Sequence, residues 1–170
     1  MNDWLVLPHG WSAAPLGAAP VARAPLIAGR LPIGDLSRLP GSNLDGQPGY
    51  RTVYLPGAFD DTVAQALRGE GPGIKLRVNH DPARDLASTA DGTLQLWLSE
   101  DGLTWQARVH SPIPVAWCSM TAGPTEFRHQ TLSTGETVKV VTRALLTEIS
   151  LVERPAFHAP AWVVPEEPFR

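Results

Sequence analysis

"TLQLWLSEDGLTWQARV", residues 93–109, alternates in two phases around a turn signal. Leu94, Leu96 and Leu98 share one face, and Leu103, Trp105, Ala107 and Val109 alternate on the return. Between the two runs, Asp101-Gly102 supplies a dipeptide suited to a tight hairpin turn. Two strands alone are barely stable in water, so this hairpin needs further strands beside it.

Those strands are found on both sides of it. Downstream lie "IPVAWCSMTA" (113–122) and "ETVKVVTRALLTEISLV" (136–152), the latter long enough for one bent strand or two and closed by Pro155. Upstream, "GIKLRVNHD" (73–81) alternates Ile74, Leu76 and Val78 with Lys75, Arg77 and Asn79, and His80 falls in phase with the apolar set. "YRTVYL" (50–55) is a short strand ended by Pro56-Gly57. One helix is expected within 58–73. Asp60 or Asp61 caps it, Phe59, Val63, Ala66 and Leu67 form its apolar stripe, and Gly69 and Gly71 end it. Six or more strands with one or two helices, and no regular βα alternation, predict a mainly β fold. Its natural form is a closed or nearly closed antiparallel barrel.

This barrel is expected to occupy residues 50–160. Residues 1–49 are rich in Pro, Ala and Gly, and the prolines within 15–35 exclude a long helix there. Short extended pieces such as 24–31 remain, packed on the barrel or preceding it. Residues 39–49 read as an exposed loop, and 161–170 as a loose tail.

At 170 residues the chain has the size of one domain. A net charge of -3 and the lack of a basic, aromatic-studded face argue against nucleic-acid binding, and so against an oligonucleotide-binding barrel. The single cysteine, Cys118, forms no internal disulfide and has no second Cys or close His pair for zinc. No run approaches the ~20 apolar residues of a membrane span, and the first residues lack the features of a secretion signal. The expectation is a cytoplasmic protein with no membrane contact, metal or cofactor.

Three polar residues interrupt segments that otherwise read as core. His80 reads as a rim histidine bonded to a backbone carbonyl, or as a general base at a strand end facing a cleft. Ser119, in "AWCSMTAG", reads as an ordinary strand serine, or as a nucleophile with small neighbours (Ala116, Cys118, Ala122, Gly123) that admit a substrate backbone. Glu148 interrupts "RALLTEISLV", which looks buried on both faces, and a buried carboxylate needs a partner. That partner is either Arg143 or Arg154 in a salt bridge, or an imidazole that Glu148 orients. Together the three supply the nucleophile, base and orienter of acyl transfer. Cys118, Ser111, His110, His129 and His158 rank lower, and Asp81, Asp85 and His158 are alternative partners for His80.

The order of motifs resembles the prohead, or head-maturation, serine proteases of tailed bacteriophages. The resemblance rests on "YLPGAF" (54–59), a helix, "LRVNHD" (76–81), the hairpin, a serine among small residues, and "LLTEISLVERPAF" (145–157). It covers roughly residues 50–160. It implies an antiparallel barrel related to herpesvirus assemblin, dimerisation by analogy, and a place inside the immature capsid in the bacterial host cytoplasm. The implied substrates are the scaffold protein or the scaffold-like segment of the major capsid protein, and the protease itself. It places the base on His80, the nucleophile on Ser119 and the acid on Glu148, with oxyanion donors near Ser119 or Arg143. The chain ends soon after the family-like region, so scaffold is expected on another chain. The family often carries Ser-x-Gly-Phe at the nucleophile, whereas this chain has Ser119-Met120-Thr121-Ala122-Gly123.

Overall fold

The computed structural model describes residues 24–40, 49–99, 102–109 and 117–165. Among them are nine strands and one helix. In chain order these are β1 (Leu26–Pro32), β2 (Thr52–Tyr54), α1 (Asp60–Leu67), β3 (Lys75–Val78), β4 (Asp85–Ser88), β5 (Leu94–Ser99), β6 (Gly102–Arg108), β7 (Trp117–Thr131), β8 (Thr137–Val152) and β9 (Ala161–Val163).

The expected hairpin is β5–β6, with Leu94 opposite Ala107 and Ser99 opposite Gly102. Gly102 therefore opens the return strand, and Glu100 and the expected turn residue Asp101 lie outside the described residues. Glycine is required at this position. Its φ is +147°, and a Cβ there would collide with the Leu31 carbonyl oxygen of the neighbouring strand. That neighbour, β1, is an inner strand of a sheet ordered β5-β6-β1-β9. Ala161–Val163, expected in the loose tail, pair with Ile27–Gly29 as its last strand.

The second sheet is organised by β8. Along one edge, β8 pairs antiparallel with β7 over nearly its whole length. Along the other edge, β2 and β3 pair with it in parallel, at Lys139–Val141 and Glu148–Leu151, and β4 adds to β3. The expected closed antiparallel barrel is therefore corrected: two sheets form and neither closes. The reason is the β2–α1–β3 segment, in which a helix returns the chain in its original direction and so allows parallel pairing. Apolar alternation reports which face is buried but carries no information on strand direction. The sheets meet where Arg30 N–H donates to the Pro160 carbonyl (3.1 Å) and Cys118 N–H to the Ala159 carbonyl (2.8 Å). Trp105, Leu31, Leu76 and Ile149 share the core between them.

Helix α1 packs by Phe59 and Val63, while Leu67, at the end of its expected stripe, is exposed. Neither aspartate caps it. Phe59 holds the N-cap position without a side-chain bond, and Asp60 and Asp61 sit in the first turn, where their charge favours the helix dipole. Buried Thr62 fastens the helix to β8, donating to the Ala144 carbonyl (3.0 Å) and accepting from Leu146 N–H (3.3 Å).

Candidate active site

The site grows from one polar face of the second sheet. Across the strands, Ser119 lies opposite Ser150, and Thr121 opposite Glu148. On the other side of β8, Lys75 pairs with Glu148 and Arg77 with Ser150. The opposite face carries Cys118, Leu76, Ile149 and Leu151, all in the core. Buried on its apolar side and polar on this one, the sheet sets the groups in register.

His80 is brought to this face by a break in the strand. Regular β3 ends at Val78, and Asn79 and His80 both take left-handed backbone, with φ of +52° and +59°. The expectation that His80 continues the apolar phase is thereby overturned. Two successive non-glycine residues in this region are uncommon and strained. Bonds hold the break in place: Asn79 N–H to the Leu151 carbonyl (3.0 Å), His80 N–H to Ser150 Oγ (3.1 Å) and Asp81 N–H to the Val78 carbonyl (3.1 Å).

The outcome is a short contact between His80 Nδ1 and Glu148 Oε1, 2.6 Å. A carboxylate only accepts, so Nδ1 carries the proton and donates it. The tautomer thus fixed leaves Nε2, on the opposite edge of the ring, as an acceptor. Glu148 is only 5% exposed. Besides His80 it accepts from Ser150 Oγ (2.6 Å, at Oε1) and Arg77 Nη1 (2.8 Å, at Oε2). Burial pushes its carboxyl pKa up. The bonds from Ser150, Arg77 and His80 and the charge of His80 outweigh that and hold it below the ordinary value. Thr121 Oγ1 lies 3.3 Å from His80 Nδ1.

His80, Ser119 and Thr121 line one cleft of about 680 Å³, bounded further by Tyr54, Lys139 and Arg154. Ser119 is 9% exposed, and its hydroxyl makes no hydrogen bond among the described residues, to His80 or otherwise. Its neighbour Met120 has a distinctive backbone. Cys118 N–H points away from β8, to Ala159, and strand alternation turns Met120 N–H to the same outer side. There Met120 N–H has no backbone partner among the described residues.

The other sequence candidates are placed elsewhere. Arg143 bonds Asp61 (3.1 Å) and Glu126 (2.8 Å), and neither it nor Arg154 pairs with Glu148. It also lies seven residues along β8 from Ser150, roughly 23 Å, so its backbone is remote from Ser119. His158 packs edge-on to the Trp117 ring, and His129 against Tyr50 and Phe127. Asp81 accepts from Ala83 N–H, and Asp85 pairs with Arg77. Cys118 is fully buried, and burial pushes its thiol up to about 12. His110 and Ser111 lie outside the described residues. Arg77 and Ser150 were not anticipated. The signal was parity: Arg77 stands in phase with Lys75 on a strand whose other phase is apolar, and Ser150 shares the phase of Glu148.

A mainly β protein whose imidazole–carboxylate pair shares a cleft with an unbonded serine has the constituents of a serine hydrolase. The sequence pattern described as Caudovirus prohead serine protease matches residues 41–165, and the chain belongs to that family. No curated protein matches the chain. Membership makes it a serine protease of capsid maturation, acting on capsid or scaffold protein in the immature capsid within the host cell. No helix among the described residues is long and apolar enough to cross a membrane.

Proposed function

We propose that this chain is an endopeptidase that cleaves scaffold, or the scaffold-like segment of the major capsid protein, and also itself, through a Ser119–His80–Glu148 acyl-enzyme mechanism. The observation that carries this reading is the 2.6 Å His80–Glu148 contact at a cleft that also holds Ser119. In the reaction, Ser119 Oγ attacks the scissile carbonyl carbon while its proton passes to His80 Nε2. Glu148 stabilises the imidazolium that results. The oxyanion takes up the outward Met120 N–H as a donor. The C–N bond breaks as His80 returns the proton to the leaving amine. Water then attacks the Ser119 ester by the same base, releasing the carboxylate product. The Ser119 hydroxyl and His80 are not hydrogen-bonded in this structure, and bonds between a nucleophile and its base commonly tighten only in the Michaelis complex.

That open Ser119–His80 geometry also gives the second reading its footing: a catalytically silent assembly factor that binds capsid or scaffold protein without cutting it. The test is co-expression with the neighbouring capsid-protein gene, comparing wild type with Ser119→Ala on a denaturing gel. The expected result is a shortened capsid or scaffold protein with wild type only. Equal shortening by both places the nucleophile elsewhere. No shortening by either, with capsids assembled, favours the silent factor.

A further inference from the structure

We propose that Arg77 is a positioning residue for His80, acting through Glu148. This rests on the Ser119–His80–Glu148 reading above. Glu148 Oε1 is occupied by His80 and Ser150, and among the described residues only Arg77 engages Oε2, at 2.8 Å. Without that bond the buried carboxylate has one oxygen unsatisfied and its terminal torsion is held only by the bonds at Oε1, so the alignment of Oε1 with Nδ1 loosens while the contact itself stays. Arg77 is itself fixed from behind. Its Nε donates to Asp85 Oδ1 (2.6 Å), and Asp85 also faces Lys75 Nζ at 3.8 Å. Arg77 and His80 sit three residues apart on one strand and its break, so the guanidinium and the imidazole grip the same carboxylate from one segment of chain.

The charges facing His80 follow from this arrangement. Glu148 comes from β8, Arg77 and Lys75 from β3, and Asp85 from β4, with neutral Thr121 and Ser150 completing the surroundings. With Arg77 present, the Glu148 charge is shared between a guanidinium and the ring. With Arg77 neutralised, the ring alone balances it, so the imidazolium is favoured and a higher pH is needed to free the base.

The experiment uses a fluorogenic peptide spanning the cut mapped in co-produced capsid protein, with kcat/KM followed from pH 5 to 9. Arg77→Gln is expected to lower kcat about tenfold with KM unchanged, and to move the acidic limb up by about one pH unit. Arg77→Lys restores part of both, since it keeps the charge but not the two-pronged geometry. Asp85→Asn removes the charged tie between β3 and β4 but keeps the Arg77–Glu148 bond, and does not move the limb up. If the limb of Arg77→Gln stays at its wild-type position, or Asp85→Asn moves it equally, Arg77 merely ties strands and the proposal fails. His80→Gln and Glu148→Gln run alongside. Full activity in those two overturns the site reading itself, whereas loss in those two with an unmoved Arg77→Gln limb overturns only the role of Arg77. Should Arg77→Gln not fold, Arg77→Lys against Asp85→Asn carries the same comparison.

Discussion

Glu148 is the residue on which the site's chemistry and its cost both turn. A carboxylate this deeply buried persists because three donors converge on it. Glu148→Gln keeps the shape but leaves His80 free to adopt the wrong tautomer, so kcat should fall by about 10⁴-fold in the peptide assay. The same residue sets an acid limit on stability. Its folded pKa lies below that of an unfolded glutamate, near ~4.3. Its contribution is therefore fully present above that value and is lost as pH falls through the lower folded value. Urea midpoints should drop more steeply between pH 5 and 3 in wild type than in Glu148→Gln; parallel curves would mean Glu148 is not the group responsible. Cys118 gives the opposite contrast. A thiol pushed up to about 12 inside the core is protonated at neutral pH. A thiol reagent should leave native protein unlabelled and fully active, and label Cys118 only after urea unfolding.

At the scale of elements, the outer edge of β7 makes a prediction that side-chain substitution alone cannot. Met120 N–H lies off the β8 ladder, so replacing it by proline removes no sheet bond, and proline is tolerated at such an edge. Met120→Pro should therefore fold but lose about 10²–10³ in kcat if that N–H receives the oxyanion, while Met120→Ala stays near wild type. Near-wild-type rates for a folded Met120→Pro would remove Met120 from the mechanism. Helix α1 gives a stability prediction. Thr62→Val deletes both bonds to β8 and leaves buried backbone groups unsatisfied, for a loss of about 1–3 kcal/mol by urea denaturation.

The elements also mark what the sequence made legible. The β5–β6 hairpin, the helix and the long β8 all follow from periodicity, because burial on one face leaves a trace every second or every third to fourth residue. The polar interruptions at Ser119 and Glu148 were visible for the same reason, whereas His80 drew notice from a phase that the strand does not continue to. Parallel pairing of β2 and β3 was not, since alternation is blind to direction. Nor was the left-handed turn at Asn79-His80, because neither residue requires it and only long-range bonds to Leu151 and Ser150 impose it. The Arg77–Glu148 pair joins residues 71 apart in sequence, and only the β3–β8 register brings them together.

For the molecule as a whole, the limits of the family match and the limits of the fold differ. The match begins at residue 41, yet β1, at Leu26–Pro32, lies between β6 and β9 inside the first sheet. Proline-rich surroundings obscure it, with Pro25 before the strand and Pro32 as its last residue. It nevertheless contributes Ile27 and Leu31 to the core, both essentially inaccessible to solvent. Gly29 lets the Trp105 ring lie directly on its backbone, where an added Cβ would come within 2.5 Å of the ring. A chain starting at residue 41 would lose these contacts and leave the facing edges of β6 and β9 unpaired, which invites aggregation. It should be recovered in inclusion bodies, or soluble without a cooperative thermal transition, although it contains every matched residue and the candidate catalytic residues His80, Ser119 and Glu148. Within the full chain, Gly29→Ala should reproduce a milder form of the defect, costing about 1–3 kcal/mol through overpacking against Trp105. A soluble, cooperatively melting and active 41–170 fragment would mean that the first sheet tolerates the loss of β1 and that the site's register on β3, β7 and β8 does not depend on that strand.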